Sequence, residues 1–72
     1  MTDAGPILIV DDEVQIRRLL EITLSAKGYK IAEASSGKEG LLMAATVRPI
    51  LIILDLGLPD ADGQSVLKKL RE

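Results

Sequence analysis

The amino-acid sequence predicts an α/β protein with a doubly wound parallel sheet, assembled in the order βαβαβα. Three observations predict it. Ile7-Leu8-Ile9-Val10 and Ile50-Leu51-Ile52-Ile53-Leu54 are continuous apolar runs without alternation, the mark of strands covered on both faces of a parallel sheet. The segments between the strands carry apolar residues at helical spacing. Both apolar runs end directly on carboxylates, Asp11-Asp12 after the first and Asp55 after the second, and ligand sites in such sheets lie beyond the carboxyl ends of the strands.

Each element has its own justification. After the first strand, Val14 to Lys27 places Ile16, Leu19, Leu20, Thr23 and Leu24 on one helical face, with Asp12 and Glu13 at the positive N-terminal end. Gly28 stops that helix as a C′ glycine. Tyr29 to Ala34 is a short strand of weaker hydrophobicity, suited to an edge. Ser36 followed by Glu39 is a capping box, so the serine is a cap without a catalytic role. The helix it opens runs through Leu41, Leu42, Ala45 and Val47 until Arg48-Pro49 closes it. The apolar strand from Ile50 follows, then a loop from Leu56 to Gly63, then a third helix from about Gln64 onward. Right-handed crossovers give a doubly wound sheet, and if its order is the flavodoxin-like one, 2-1-3, the first and third strands are neighbours.

Composition narrows the function. Seventy-two residues form at most one domain. An apolar content of 47% with mean hydropathy +0.25 excludes a disordered chain, and with Tyr29 as the sole aromatic the core must be aliphatic. Nine basic residues against eleven acidic ones give a net charge of −2, and the basic residues are scattered without aromatic neighbours. That is poor material for binding nucleic acid. The absence of cysteine and histidine excludes disulfides, zinc and haem sites, and histidine-based triads. Residues 1–6 carry no basic stretch followed by a long apolar run, so neither a signal peptide nor a membrane span is expected and a cytoplasmic location is the default.

Asp11, Asp12 and Asp55 thus converge on one crevice. Like charges so close must share a proton or hold a cation, and hard oxygen donors suit magnesium. Helix capping before Val14 is the plain alternative for Asp11 and Asp12, and it is compatible with metal binding. The alternation of side chains along a strand argues against an adjacent pair pointing the same way. No helix starts at Asp55. Asp60 and Asp62 read as turn and helix-start residues, with Gly63 supplying special backbone geometry.

The string from Ile7 to Glu13, the spacing to Asp55, and Leu54-Asp55-Leu56-Gly57-Leu58-Pro59-Asp60-Ala61-Asp62-Gly63 resemble the response regulator receiver domain of two-component signalling. The resemblance covers residues 1–72 as a partial receiver domain of three βα units. The wording around Asp55 is nearest to receivers that carry a winged-helix DNA-binding domain, of the potassium-transport regulator type. The resemblance implies a signalling module rather than an enzyme, in which Asp55 is the phosphoacceptor that takes a phosphoryl group from a sensor histidine kinase. It also implies Mg²⁺ held directly by Asp12 and Asp55, by Asp11 largely through water, and by the backbone carbonyl of Gly57.

Departures from the family pattern matter too. A complete receiver ends its fourth strand on Ser or Thr and its fifth on Lys, and this sequence does not reach either strand. Lys68 and Lys69 sit on a helix and are no substitute. Ile50 stands where the family commonly carries Asp, as a natural variant or an engineered change. A competing reading is therefore a half-domain that self-assembles without phosphotransfer. Its third strand would present an open edge, for which a homodimer is the simplest closure. A magnesium-dependent phosphatase with an aspartate nucleophile ranks last, because Gly57 stands where such enzymes want a second Asp.

Overall fold

A computed structural model describes residues 5–55 together with Lys68 and Lys69. The elements are β1 (Ile7–Val10), α1 (Val14–Ser25), β2 (Ile31–Ala34), α2 (Gly37–Val47) and β3 (Leu51–Leu54). Both strand pairs are parallel, as the alternation of strand and helix predicts, and their order is the flavodoxin-like β2-β1-β3. The expected loop from Leu56 and most of the expected third helix lie outside the described residues. Lys68 and Lys69 themselves are helical and exposed.

Register explains which side chains share a face. Leu8 stands between Ala32 and Ile52, and Val10 between Ala34 and Leu54. Those residues form one face, and Met43 and Ala44 of α2 pack on it around buried Leu8, Val10 and Ala34. On the opposite face Ile7 stands between Ile31 and Leu51, and Ile9 between Glu33 and Ile53. α1 covers this face over β1 and β2. Every residue of β1 is buried, which fits a central strand covered on both sides.

β3 differs from the sequence expectation. It starts at Leu51 rather than Ile50, and Leu51 is 53% exposed. The two crossover helices both lean toward β1 and β2, so the α1 side of β3 is left uncovered by the described residues. Leu19 of α1 is likewise exposed, at 61%, and no residue of α1 is fully buried. Leu20 and Leu24 are half-buried as expected, whereas Thr23 is exposed.

The helix ends follow local chemistry. α1 closes with the Gly28 N–H donating to Ser25 C=O at 2.9 Å and the Tyr29 N–H donating to Leu24 C=O at 3.3 Å, while Gly28 takes φ +95°. This is a Schellman closure, in which a glycine tolerates the left-handed turn. Strand β2 begins only at Ile31, because these bonds hold Tyr29 in the turn. Ser36 caps α2 by accepting from the Glu39 N–H at 3.1 Å. The return half of the expected box shifts by one residue: Glu39 Oε1 accepts from the Ser35 N–H at 2.6 Å and the Ser35 hydroxyl at 2.9 Å. Arg48 closes α2 with φ 51° and its N–H on Ala44 C=O at 3.2 Å.

α2 turns a face inward that overlaps the expected one only in part: Leu41 and Val47 are half-buried as expected. Gly37 and Gly40 are its buried residues, whereas Leu42 is 64% exposed and Ala45 is exposed. A helix brings its backbone close to a sheet where side chains are absent, so Gly37 and Gly40 mark the closest approach while Met43 and Ala44 supply side-chain packing.

Candidate functional site

Two backbone hydrogen bonds carry the sheet one residue past its strands. The Asp11 N–H donates to Ala34 C=O at 3.1 Å, and the Asp55 N–H donates to Val10 C=O at 2.9 Å. Asp11 and Asp55 are therefore fixed side by side at the carboxyl edge by the register that pairs Val10 with Leu54. Asp12 lies in the bend beyond, where strand alternation no longer applies. One carboxylate oxygen from each of Asp11, Asp12 and Asp55 lies within 4.8 Å of the others. The adjacent pair thus reaches a common point, contrary to what alternation along a strand suggests. Asp11 and Asp55 are half-buried and Asp12 is exposed.

The turn between β1 and α1 is held from several sides. Asp11 Oδ1 accepts from the Glu13 N–H at 2.9 Å, an Asx-type turn. Glu13 occupies the cap position of α1 and makes no side-chain cap bond, so neither aspartate serves as the helix cap. Arg17 Nη1 donates to Asp11 C=O at 2.7 Å, while its Nε donates to Glu33 Oε1 at 3.2 Å. Glu33 stands in register with Ile9 on the α1 side of the sheet, where it is exposed and pairs with Arg17. Sequence reasoning missed Arg17. The available signal was Glu33, a charge on a strand position that faces the first helix.

Near the site, Glu39 has its carboxyl held below the ordinary value of 4.5. The Ser35 N–H lowers it most and the Ser35 hydroxyl next, desolvation opposes them, and the Arg17 charge adds a smaller lowering.

The donor set is entirely oxygen and anionic, which suits a hard divalent cation such as Mg²⁺. Three carboxylates at this spacing fit such an ion, with one oxygen of Asp11 already engaged by Glu13. Gly57, the remaining expected ligand, lies outside the described residues, as do Asp60, Asp62 and Gly63. No helix among the described residues is long and apolar enough to cross a membrane.

Comparison with known proteins points the same way. The family model of the response regulator receiver domain matches residues 7–72. The KDP operon transcriptional regulatory protein KdpE of Escherichia coli is 52% identical over 66 residues, covering 92% of this chain and 29% of that protein. The alkaline phosphatase synthesis transcriptional regulatory protein PhoP of Bacillus subtilis is 48% identical over 66 residues, with 92% and 28% covered. The chain thus spans under a third of the length of these relatives. Among solved structures, the response regulator TrrA of Thermotoga maritima, in complex with Mg²⁺-BeF, aligns with TM-score 0.87 and 39% identity over 93% of this chain and 58% of that one. A CheY-like receiver domain protein of Methanospirillum hungatei aligns with TM-score 0.91 and 32% identity over 96% and 55%. With the strand order, the acidic edge and the matched family model in agreement, the chain belongs to the response regulator receiver domain family.

Proposed function

We propose that Asp55 is the phosphoacceptor of a two-component receiver module and that residues 1–72 form its first three βα units. A carboxylate oxygen of Asp55 attacks the phosphorus of a phosphohistidine on a sensor kinase. The phosphorus–nitrogen bond breaks, the histidine leaves, and Asp55 becomes an acyl phosphate. Asp12 and Asp55 would hold Mg²⁺ directly and Asp11 largely through water, with the Gly57 carbonyl as a further ligand. A magnesium ion bound there screens the repulsion between carboxylate and phosphate and neutralises charge on the transferring group. The observation that carries this reading is the gathering of three carboxylates at adjacent strand ends. The module works in the cytoplasm with a histidine kinase as its partner, and it binds neither nucleic acid nor membrane by itself.

Beryllofluoride mimics the phosphoryl group, and TrrA carries it with Mg²⁺. In fluorine NMR the 72-residue chain should show a bound beryllofluoride signal only with Mg²⁺. Asp55→Asn should abolish it. A signal that survives Asp55→Asn overturns the assignment of Asp55.

Half-exposed Ile50 and Leu51 support a second element of the proposal. Among the described residues β3 pairs only with β1, and the backbone groups these residues leave unpaired along its outer edge suit a second copy. On this reading the 72-residue polypeptide forms a homodimer through that edge. Sedimentation equilibrium at micromolar concentration tests this, and a well-folded monomer would refute it. If the chain dimerises yet binds no beryllofluoride, the self-assembling half-domain is the correct reading.

A further inference from the structure

We propose that Arg17 is a positioning residue of the acidic site: its guanidinium bridges the Asp11 carbonyl and Glu33, and so holds the turn that gathers Asp11, Asp12 and Asp55. The inference rests on the metal-binding reading above and extends it to a residue outside the carboxylate set. The side chain of Arg17 is 16% exposed, and its bond to the Asp11 carbonyl is partly buried, whereas its bond to Glu33 lies at the surface.

The Asp11 C=O belongs to the peptide plane that leads into Asp12. Its orientation sets ψ of Asp11 and φ of Asp12, and with them the direction of the Asp12 side chain. The Asp11 N–H is already committed to Ala34 C=O, and Asp11 Oδ1 to the Glu13 N–H. Arg17 Nη1, at 2.7 Å, supplies the remaining constraint, on the carbonyl. Glu33 anchors the other side of the guanidinium through Nε at 3.2 Å, which ties the turn to edge strand β2. Arginine suits this task because its planar fork offers two donors in fixed directions, whereas a lysine offers one point charge.

An ordinary surface ion pair would contribute little and leave the acids untouched. Charge and position make opposite predictions for the metal. A cation beside three carboxylates opposes a second cation, so if Arg17 acted only through its charge, Arg17→Gln would tighten Mg²⁺ binding. If Arg17 acts by position, the same change loosens the turn and weakens binding, by about tenfold if it behaves like other outer-shell partners of metal ligands.

The test is a Mg²⁺ titration of the 72-residue chain followed by NMR, for wild type, Arg17→Gln, Arg17→Lys, Glu33→Gln and Asp55→Asn. Arg17→Gln should bind about tenfold more weakly, Arg17→Lys should fall between it and wild type, and Glu33→Gln, which keeps an acceptor for Nε, should stay near wild type. Amide order parameters without metal supply an independent readout: those of Asp12 and Glu13 should fall in Arg17→Gln while those of Leu24 and Ala44 hold. Equal or tighter Mg²⁺ binding by Arg17→Gln, or unchanged order at Asp12 and Glu13, overturns the positioning role. If Arg17→Gln does not fold, Arg17→Lys decides, and wild-type affinity and order in that variant would overturn it. An Asp55→Asn curve identical to wild type overturns the metal reading instead, and the metal-free order parameters still judge Arg17.

Discussion

Gly40 lies directly against Val10: a β-carbon built on Gly40 would stand 2.9 Å from both γ-methyls of Val10. Val10 is the last residue of the central strand, it is 1% exposed, and Asp11 follows it. The close approach of α2 to the sheet is therefore set next to the acidic edge.

Gly40→Ala should destabilise the chain even though alanine is the better helix former by about 1 kcal/mol. Overpacking of a buried contact costs about 1 to 3 kcal/mol, so the net loss should be about 1 kcal/mol, read from urea denaturation. In a Val10→Ala background the clash disappears, and Gly40→Ala should become neutral or stabilising. Additive single effects would show that the two residues do not share this contact.

Arg48 holds φ 51° to close α2, a conformation that costs a residue with a β-carbon about 1 to 2 kcal/mol. Glycine relieves that strain but loses about 0.5 to 1 kcal/mol through the greater freedom of the unfolded chain. Arg48→Gly should therefore raise stability by about 0.5 kcal/mol, and Arg48→Val should lower it, since a β-branched residue tolerates this region worst. Gly5 constrains the same corner, because a β-carbon there would meet the Arg48 carbonyl. Gly5→Ala should lower the urea midpoint.

The bonds from Ser35 to Glu39 make stability depend on pH. The folded-state pKa of Glu39 lies below its ordinary 4.5, chiefly through the Ser35 N–H and hydroxyl. The unfolded chain therefore takes up the proton first as pH falls, and the contribution is fully present above about 4.5 and is lost as pH drops through the lowered folded value. Glu39→Gln has no such titration. The stability difference between wild type and Glu39→Gln should be constant from pH 7 to about 5 and shrink below that. A difference that grows on acidification would contradict the assigned sign.

The sheet and its acidic edge were legible in the sequence because both depend on short-range signals. Unbroken apolar runs mark β1 and β3, the carboxylates follow them directly, and Gly28 announces its own left-handed turn. The inward face of α2 was only partly legible: Leu41 and Val47 are half-buried as their spacing predicts, but Gly37 and Gly40 have no hydrophobic side chain to advertise a contact made by backbone proximity. Leu42 carried the hydrophobic signal yet lies outward. Arg17 was hidden for another reason: an arginine on a helix ordinarily reads as solvated surface, and its bond to the Asp11 carbonyl exists only once the helix folds back across the strand end. The shifted return bond of Glu39 likewise depends on the Ser35 conformation, which sequence spacing does not specify.

Asp12→Asn should act in opposite directions with and without metal. In the metal-free chain three carboxylates lie within 4.8 Å of one another, and each pair at that separation repels by up to about 1 kcal/mol under water-like screening. Removing the Asp12 charge should thus stabilise the metal-free fold by on the order of 1 kcal/mol. With Mg²⁺ the order reverses, because a ligand that binds only the folded state adds stability as its concentration passes Kd, about 2.7 kcal/mol at one hundred times Kd. Wild type should gain melting temperature with added Mg²⁺, whereas Asp12→Asn should gain little. Thermal melts at low and at 10 to 20 mM Mg²⁺, with calcium as a second hard cation and sodium at matched ionic strength as control, would measure both effects. If Asp12→Asn lowers the metal-free melting temperature, Asp12 makes a structural contribution that outweighs the repulsion. If both chains respond equally to Mg²⁺, Asp12 is not among its ligands.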